Sequence, residues 1–267
     1  MHTVLAATAT LLAGAFALST LERYLARGRR HELMWTISLC MFALGSLALW
    51  AGAAIGWSEW TFKSFYLFGA ILNVPFLALG TVYLLAGQRR GDIAAATVSL
   101  LAAFAAGIVV ATPIIGSIQS DVLPQGSDVF GPGPRIAAGV GSGVAALVII
   151  GGAVWSAVQL LLGRRRSAAA PVTAIPAGRL AAANLLIAGG TLVLSAGGLL
   201  NSVVDEMNAF AISLVVGIAV IFAGFLLTTV STPSGQHAPE VVRGSLEPGP
   251  ILAGADPSVR EPSREQA

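Results

Sequence analysis

The sequence predicts an all-α, polytopic integral membrane protein with seven transmembrane helices, its N-terminus outside and its C-terminus in the cytoplasm. Of the 267 residues, 55% are hydrophobic and only 10% are charged, and the mean hydropathy is +0.81. A soluble domain carries roughly 25% charged residues and cannot bury this much apolar surface in one core. The one cysteine, and glycines and prolines without a three-residue period, exclude a disulfide scaffold and collagen.

Seven stretches without Asp, Glu, Lys, Arg or His justify the seven predicted helices. Each is near or above the ~20 residues that a helix needs to cross a bilayer core. Because one Arg or Asp at the centre of a membrane helix costs about 2.5–3.5 kcal/mol, such uncharged runs in succession are a strong signal. The stretches comprise residues 3–21, 33–55, 64–86, 93–117, 136–162, 180–201 and 208–230.

The uneven distribution of basic residues predicts the orientation. Lys63 and Arg135 lie on one side of the predicted membrane, and all other basic residues lie on the opposite side. Since cytoplasmic segments carry the excess of Lys and Arg, the side rich in arginine is predicted to be cytoplasmic. No basic segment precedes the first stretch, so we expect it to remain as an uncleaved anchor. The residues predicted to be cytoplasmic are Arg23, Arg27, Arg29, Arg30, Arg89, Arg90, Arg164, Arg165, Arg166, Arg179, Arg243, Arg260 and Arg264.

The chain is predicted to form two regions. Residues 1–230 contain all seven stretches and are expected to form one transmembrane domain. Residues 231–267 are rich in Pro, Gly, Ser, Glu and Arg, and we expect them to form a disordered cytoplasmic tail. The preference for Arg over Lys, with abundant Ala, Gly and Val, is typical of a GC-rich bacterial genome. We therefore expect a multi-pass protein of the bacterial inner (plasma) membrane.

Small and aromatic residues predict how the helices pack and where they meet the membrane surface. Gly139, Gly143 and Gly190 belong to recurring small-residue pairs, which favour a close approach of the fifth and sixth helices. Trp57 and Trp60 flank the outer ends of the second and third helices. Interfacial tryptophans prefer such positions, so we expect both to act as membrane anchors.

The sequence has no recognisable catalytic or metal-binding constellation. His2, His31 and His237 lie too far apart to face one site, which argues against a zinc or bis-His haem centre. No carboxylate lies inside any stretch. Ser142, between two glycines, has no His or Lys to activate it and is expected to be a small packing residue. We therefore predict no catalytic residue, no metal site and no cofactor.

The third stretch carries the candidate ligand-binding residues. Asn73 and Pro75 stand near its middle, where proline bends a helix and frees a carbonyl group. An asparagine can satisfy such a group across helices, so the pair is interpreted either as a sealed structural kink or as the lining of a central cavity. Asn201, near the outer end of the sixth stretch, is a further candidate with the same two interpretations.

Four charged residues near the outer loops form a second candidate feature. They are expected to lie together if the third and seventh helices are neighbours. Solvated loop charges and an entrance site for a ligand are the two interpretations. The four residues are Glu59, Lys63, Asp205 and Glu206.

These observations favour a non-enzymatic sensor or an interaction partner of another membrane or cytoplasmic protein. The alternative is a passive transporter or binding protein for a neutral or lipophilic small molecule, with a cavity around Asn73 and Pro75. A third hypothesis is an enzyme that acts on lipid through Glu22, His31 and Glu32, although we expect both carboxylates to pair with arginines at the surface. The lipid bilayer is the expected partner. The basic residues accompany no folded soluble domain and do not predict nucleic-acid binding.

Overall fold

The computed structural model describes residues 2–120, 123–162, 177–203 and 207–227. These residues are mainly helical and contain no strand, which agrees with the predicted all-α class. The predicted tail, residues 231–267, lies outside this part of the chain. The helical elements are α1 (His2–Arg27), α2 (Arg30–Ile55), α3 (Glu59–Ser64), a π-helical segment (Phe65–Leu72), α4 (Asn73–Ala86), α5 (Gln88–Ala111), α6 (Gly126–Val129), α7 (Pro132–Leu161), α8 (Ala177–Val203) and α9 (Met207–Leu227).

Six helical segments are long and apolar enough to cross a membrane, so the chain is a multi-pass membrane protein. The seventh predicted span falls in α8, where the apolar helix among the described residues, Ala181–Gly197, is shorter than the other six. The six segments are Thr3–Arg27, Arg30–Ile55, Glu59–Ala86, Gln88–Ala111, Pro132–Gln159 and Phe210–Leu227.

The long helices pack in a closed order. Six helices form a closed ring in the order α1, α2, α4, α7, α8 and α9, in which each packs against the next and α9 packs against α1. α5 packs on the outside of this ring, against α4 and α7. The connections from α1 to α2 and from α4 to α5 lie at one end, which we name the arginine-rich end for its exposed residues Arg27, Arg29, Arg30, Arg89 and Arg90.

The third span is a continuous run of α3, the π segment and α4. α3 begins after Ser58, whose hydroxyl accepts a hydrogen bond from the backbone N–H of Thr61 at 3.3 Å. The hydrogen bonding widens to the π pattern over Phe65–Leu72 and returns to the α pattern at Asn73. Pro75 follows within the next turn. This proline was expected to bend the helix, and the observed irregularity is a π segment that ends just before it.

One of the predicted glycines brings two helices together, but with a different partner helix. A Cβ atom on Gly190 would lie 2.8 Å from the carbonyl oxygen of Gly217 in α9, so the α8 and α9 backbones approach closely here. By contrast, a Cβ atom on Gly139 or Gly143 of α7 would meet no described atom within 4 Å. The fifth and sixth helices, α7 and α8, are neighbours as predicted, but the predicted role of Gly139 and Gly143 in their contact is wrong.

The chain between α5 and α7 folds back over the end of the bundle opposite the arginine-rich end. The backbone N–H of Ile115 donates to the carbonyl of Val129 at 3.0 Å, and that of Trp57 donates to the carbonyl of Ser120 at 3.1 Å. Phe130, in the same connection, is buried in a cluster of apolar side chains from α2, α3 and the π segment. This connection therefore closes one end of the core.

Trp57 and Trp60, both predicted as membrane anchors, have different environments. Trp60 is 64% exposed, as an anchor requires. Trp57 is only 6% exposed, and its ring packs against Gly52 and edge-on against Phe62, with the two ring centroids 6.3 Å apart. Trp57 is therefore a core residue, because the folded-back connection covers it.

Candidate functional site

A partly buried ion pair joins α1 and α2 at the arginine-rich end. Arg23 Nε lies 3.3 Å from Glu32 Oε1, and the Glu32 side chain is fully buried. The second carboxylate oxygen, Oε2, is buried without a hydrogen-bond partner in the described structure. The Arg23 guanidinium also lies 4.4 Å from the ring centroid of Phe225, near the end of α9. One arginine thus contacts residues of two other helices.

The tight connection between α1 and α2 explains this pairing. Gly28 has a φ of 64°, in the left-handed region that glycine adopts without strain. Only Gly28 and Arg29 separate the two helices. In such an antiparallel hairpin, residues a few positions before the turn face residues a few positions after it. Thr20 and Thr36, farther from the turn, also face each other, and their hydroxyl oxygens are 3.0 Å apart.

Sequence reasoning placed Glu32 in the wrong environment. Its expected pairing with an arginine is confirmed, but the expected surface location is wrong. The uncharged stretch begins at residue 33, whereas α2 begins at Arg30 and includes Glu32 in its first turn. α1 packs against that turn, where Arg23 pairs with Glu32. The sequence contains a signal for this pairing, because the glycine between the two long apolar stretches predicts a short helical hairpin. In such a hairpin, Glu32 is expected to contact a residue of the helix before the turn.

Asn73 and Pro75 lie where α4 follows the π segment, packed against α2. Asn73 is 6% exposed, and its backbone carbonyl accepts a hydrogen bond from Ser38 Oγ at 2.7 Å. Its side-chain Oδ1 accepts a hydrogen bond from the backbone N–H of Val74 at 2.6 Å. Pro75 is half-buried. The contacts of Asn73 are those of a helix junction, and ligand binding by Asn73 and Pro75 stays a prediction.

Ser142 supplies a donor that the π segment lacks. In the π pattern the carbonyl of Ala70 would accept from residue 75, which is proline and has no N–H. The hydroxyl of Ser142 in α7 donates to this carbonyl at 2.5 Å. Ser142 is therefore more than a small packing residue, because it bonds α7 to the irregular part of the third span.

The outer charged residues come together only in part among the described residues. Glu59 and Lys63 form an ion pair of 2.8 Å between Oε1 and Nζ. Lys63 is 5% exposed, and Nζ also donates to the carbonyl of Val110 near the end of α5, at 3.1 Å. Lys63 therefore links two spans, in place of the predicted solvated charge.

Three predicted site residues fall outside what the structure describes. Asn201 belongs to α8, but its side chain is not among those described. Asp205 and Glu206 lie between α8 and α9, outside the described residues. Ligand binding by Asn201, and a cluster of these carboxylates with Lys63, stay predictions.

A shallow apolar groove of about 360 Å³ lies between α2 and the third span. Leu47 and Ala51 of α2 form one wall, and Trp60 and Phe68 form the other. Neither Asn73 nor Pro75 lines this groove. The groove is therefore distinct from the predicted cavity around these two residues.

Metal-binding chemistry and similarity to known proteins add no further assignment. Within residues 2–227, apart from the gaps given above, no three His, Cys, Asp or Glu lie close enough to hold a metal ion. The chain matches no protein-family model, and no curated protein or solved structure matches it either.

Proposed function

We propose that the chain crosses the bacterial inner membrane seven times, with α8 as the sixth span. α8 has 27 residues and is about 40 Å long, more than a bilayer core requires. Gly197 of α8 lies against Ser213 of α9, and Ala183 lies against Gly224. Residue numbers rise along one helix as they fall along the other, so the two helices are antiparallel neighbours over several turns. Because α8 lies alongside α9 over this length, the pairing supports the proposal that α8 crosses the membrane next to α9.

We further propose that the N-terminus is outside and the C-terminus cytoplasmic. Arg27, Arg29, Arg89 and Arg90 are exposed at the arginine-rich end. At the opposite end Arg135 is exposed, and the only lysine is buried. The positive-inside rule assigns the arginine-rich end to the cytoplasm. With seven spans, the C-terminus then lies on this side.

In this membrane the protein is proposed to act as a non-enzymatic sensor or interaction partner of a separate membrane or cytoplasmic protein. The observation that carries this proposal is the buried contact of Arg23 with Glu32 and Phe225. It joins α1 and α2 to the end of α9, after which the chain continues into its C-terminal segment. A change in this contact would move the helix that leads to the cytoplasmic tail.

The energetics of the pair favour a role in conformation over a role in stability. Glu32 is fully buried and Arg23 is 19% exposed. Desolvation of buried charges generally offsets their attraction, so apolar replacements are often neutral or stabilising. The unpartnered Oε2 atom of Glu32 adds a cost of about 1–3 kcal/mol. Ionisable residues inside membrane bundles are functional by default. Such a pair favours one arrangement of three helices, and a signal that breaks the pair would release that arrangement, as a sensor requires.

The test compares the native protein with the double variant Arg23→Gln/Glu32→Gln, which removes both charges and leaves neither unpaired. A photocrosslinking residue at position 243 of the tail reports on proteins near the tail in intact cells. We expect one defined crosslinked protein with the native chain and at least a fivefold weaker crosslink with the double variant. Arg135→Gln is the matched control, since it removes an exposed arginine at the opposite end.

Two outcomes would contradict the sensor proposal. One is a crosslink pattern restricted to lipid and abundant bystander proteins in every sample. The other is an equally strong specific crosslink in the native chain and in the double variant. Elution of the double variant as a monodisperse species from size-exclusion chromatography shows that it is folded.

The alternative function is a passive transporter or binding protein for a neutral or lipophilic molecule, with Asn73 and Pro75 as its site. The burial of Asn73 at the centre of a span supports it. Substituting Asn73→Leu should then abolish solute uptake by proteoliposomes while the protein stays folded. Unchanged uptake in the folded variant would contradict the alternative.

A further inference from the structure

A bridge of three side chains fixes two arginine-bearing connections next to each other. Arg30, at the start of α2, forms an ion pair with Oδ1 of Asp92 in α5. The hydroxyl of Tyr83, in the last turn of α4, donates to the same oxygen at 2.8 Å. The α1–α2 hairpin and the α4–α5 turn therefore lie side by side at the arginine-rich end.

The α4–α5 turn is as short as the α1–α2 connection. Gly87 alone separates α4 from α5, and its φ of 83° is in the region that favours glycine. Arg89 and Arg90 therefore lie in the first turn of α5, which has no acidic residue. The positive end of the helix dipole disfavours cations there. An anion next to these two arginines would relieve that repulsion.

Four arginines of the two connections are exposed and form no ion pair within the described structure: Arg27, Arg29, Arg89 and Arg90. We name them the arginine patch. The carboxylates described near this end are Glu22, Glu32 and Asp92; Glu32 pairs with Arg23, and Asp92 with Arg30. Among the described residues, Glu22 alone is left to balance the four cations. The patch therefore carries a net positive charge on a surface that its own side chains do not neutralise.

We propose that the arginine patch binds the phosphate headgroup of an anionic phospholipid. A guanidinium group presents paired donors that match phosphate oxygens, and each arginine near an anionic lipid surface contributes about a factor of five in affinity. The bridge of Arg30, Asp92 and Tyr83 holds the two halves of the patch at a fixed separation. This arrangement favours one bound headgroup over a diffuse attraction to the whole membrane surface.

Apolar side chains beside the patch identify a lipid, not free phosphate, as the occupant. Leu25 is 75% exposed one turn before the α1–α2 connection, and Leu84 is 49% exposed in the last turn of α4. Ile93 is 65% exposed in α5, next to Asp92. These side chains offer contacts to acyl chains directly below a headgroup held by the arginines. Inorganic phosphate would use none of them.

The test uses the full chain in nanodiscs of phosphatidylcholine with a small fraction of phosphatidylglycerol. Native mass spectrometry after gentle release counts the phosphatidylglycerol molecules that stay bound. We expect Arg89→Gln/Arg90→Gln and Arg27→Gln/Arg29→Gln each to weaken retention about tenfold or more. The matched control Arg135→Gln removes an exposed arginine at the opposite end and should retain the native amount.

A second arm distinguishes lipid from free phosphate with the native protein alone. Inorganic phosphate is compared with chloride at equal ionic strength. Equal retention of phosphatidylglycerol in both buffers supports a lipid site, whereas specific displacement by phosphate overturns it in favour of a phosphate site. Equal retention by the native chain and both double variants would also overturn the proposal. Because all four arginines are exposed, these substitutions leave the packed bundle intact.

Discussion

The hydroxyl of Ser142 in α7 donates to the backbone carbonyl of Ala70 in the π segment, across 72 positions of sequence. Without it, this carbonyl would lack the donor that Pro75 cannot provide. The same junction is bonded from the other side, since Ser38 of α2 donates to the carbonyl of Asn73. Two serines from different helices therefore hold the irregular part of the third span.

Replacing Ser142→Ala should lower the free energy of unfolding by about 1 kcal/mol. The substitution leaves the carbonyl of Ala70 without its interhelical donor, and such bonds contribute about 0.6–1.5 kcal/mol in membrane and soluble proteins. Thermal unfolding in detergent measures the change. Ser99→Ala is the control, because Ser99 is exposed on α5. Equal stabilities of the two variants would show that the hydrogen bond contributes nothing.

Substituting Gly190→Ala should destabilise the protein by about 1–3 kcal/mol. The added methyl group would lie 2.6 Å from Ile221 Cγ1 and 2.8 Å from the Gly217 carbonyl, so α8 and α9 must separate. Gly139→Ala adds the same methyl group to α7, where no described atom lies within 4 Å. Its melting temperature should not fall. A similar loss in both variants would contradict the close approach of α8 and α9.

Replacing Lys63→Met should cost more stability than replacing Glu59→Gln. Lys63 is buried and donates both to Glu59 and to the carbonyl of Val110, so its removal breaks an ion pair and a charge-assisted hydrogen bond of about 1.5–3 kcal/mol. The Glu59 side chain is 49% exposed, and an exposed partner contributes about 0–1 kcal/mol. Melting temperatures of the two variants in the same detergent give the comparison. The reverse order would show that Lys63 has no structural role.

The Arg23 and Glu32 substitutions should be strongly non-additive. Arg23→Gln alone leaves a buried carboxylate without its partner, and breaking such a pair costs about 3–5 kcal/mol. The double variant with Glu32→Gln should recover most of this loss, since neither charge remains. A double-mutant cycle on unfolding free energies measures the coupling. Additive effects would show that the two side chains do not interact.

The sequence by itself determined the class of the protein and most of its spans. Uncharged apolar runs of about 20 residues are a local property, because a helix that crosses lipid satisfies its own backbone. Six of the seven runs accordingly form long apolar helices. The break near Pro75 was also predictable, since the missing N–H is a property of that one residue.

The tertiary structure decided which charged and aromatic residues are buried. Glu32, Lys63 and Trp57 were all expected at the surface, but all three are buried. Lys63 and Trp57 contact residues distant in the sequence, Val110 and Ser120, whereas Glu32 pairs with Arg23 in the preceding helix. Glycine spacing likewise predicted close helix packing, but not the partner, because Gly139 points away from the described bundle while Gly190 meets α9. Burial and partner choice depend on which helices become neighbours. That order arises from contacts between distant residues, which no single stretch of sequence contains.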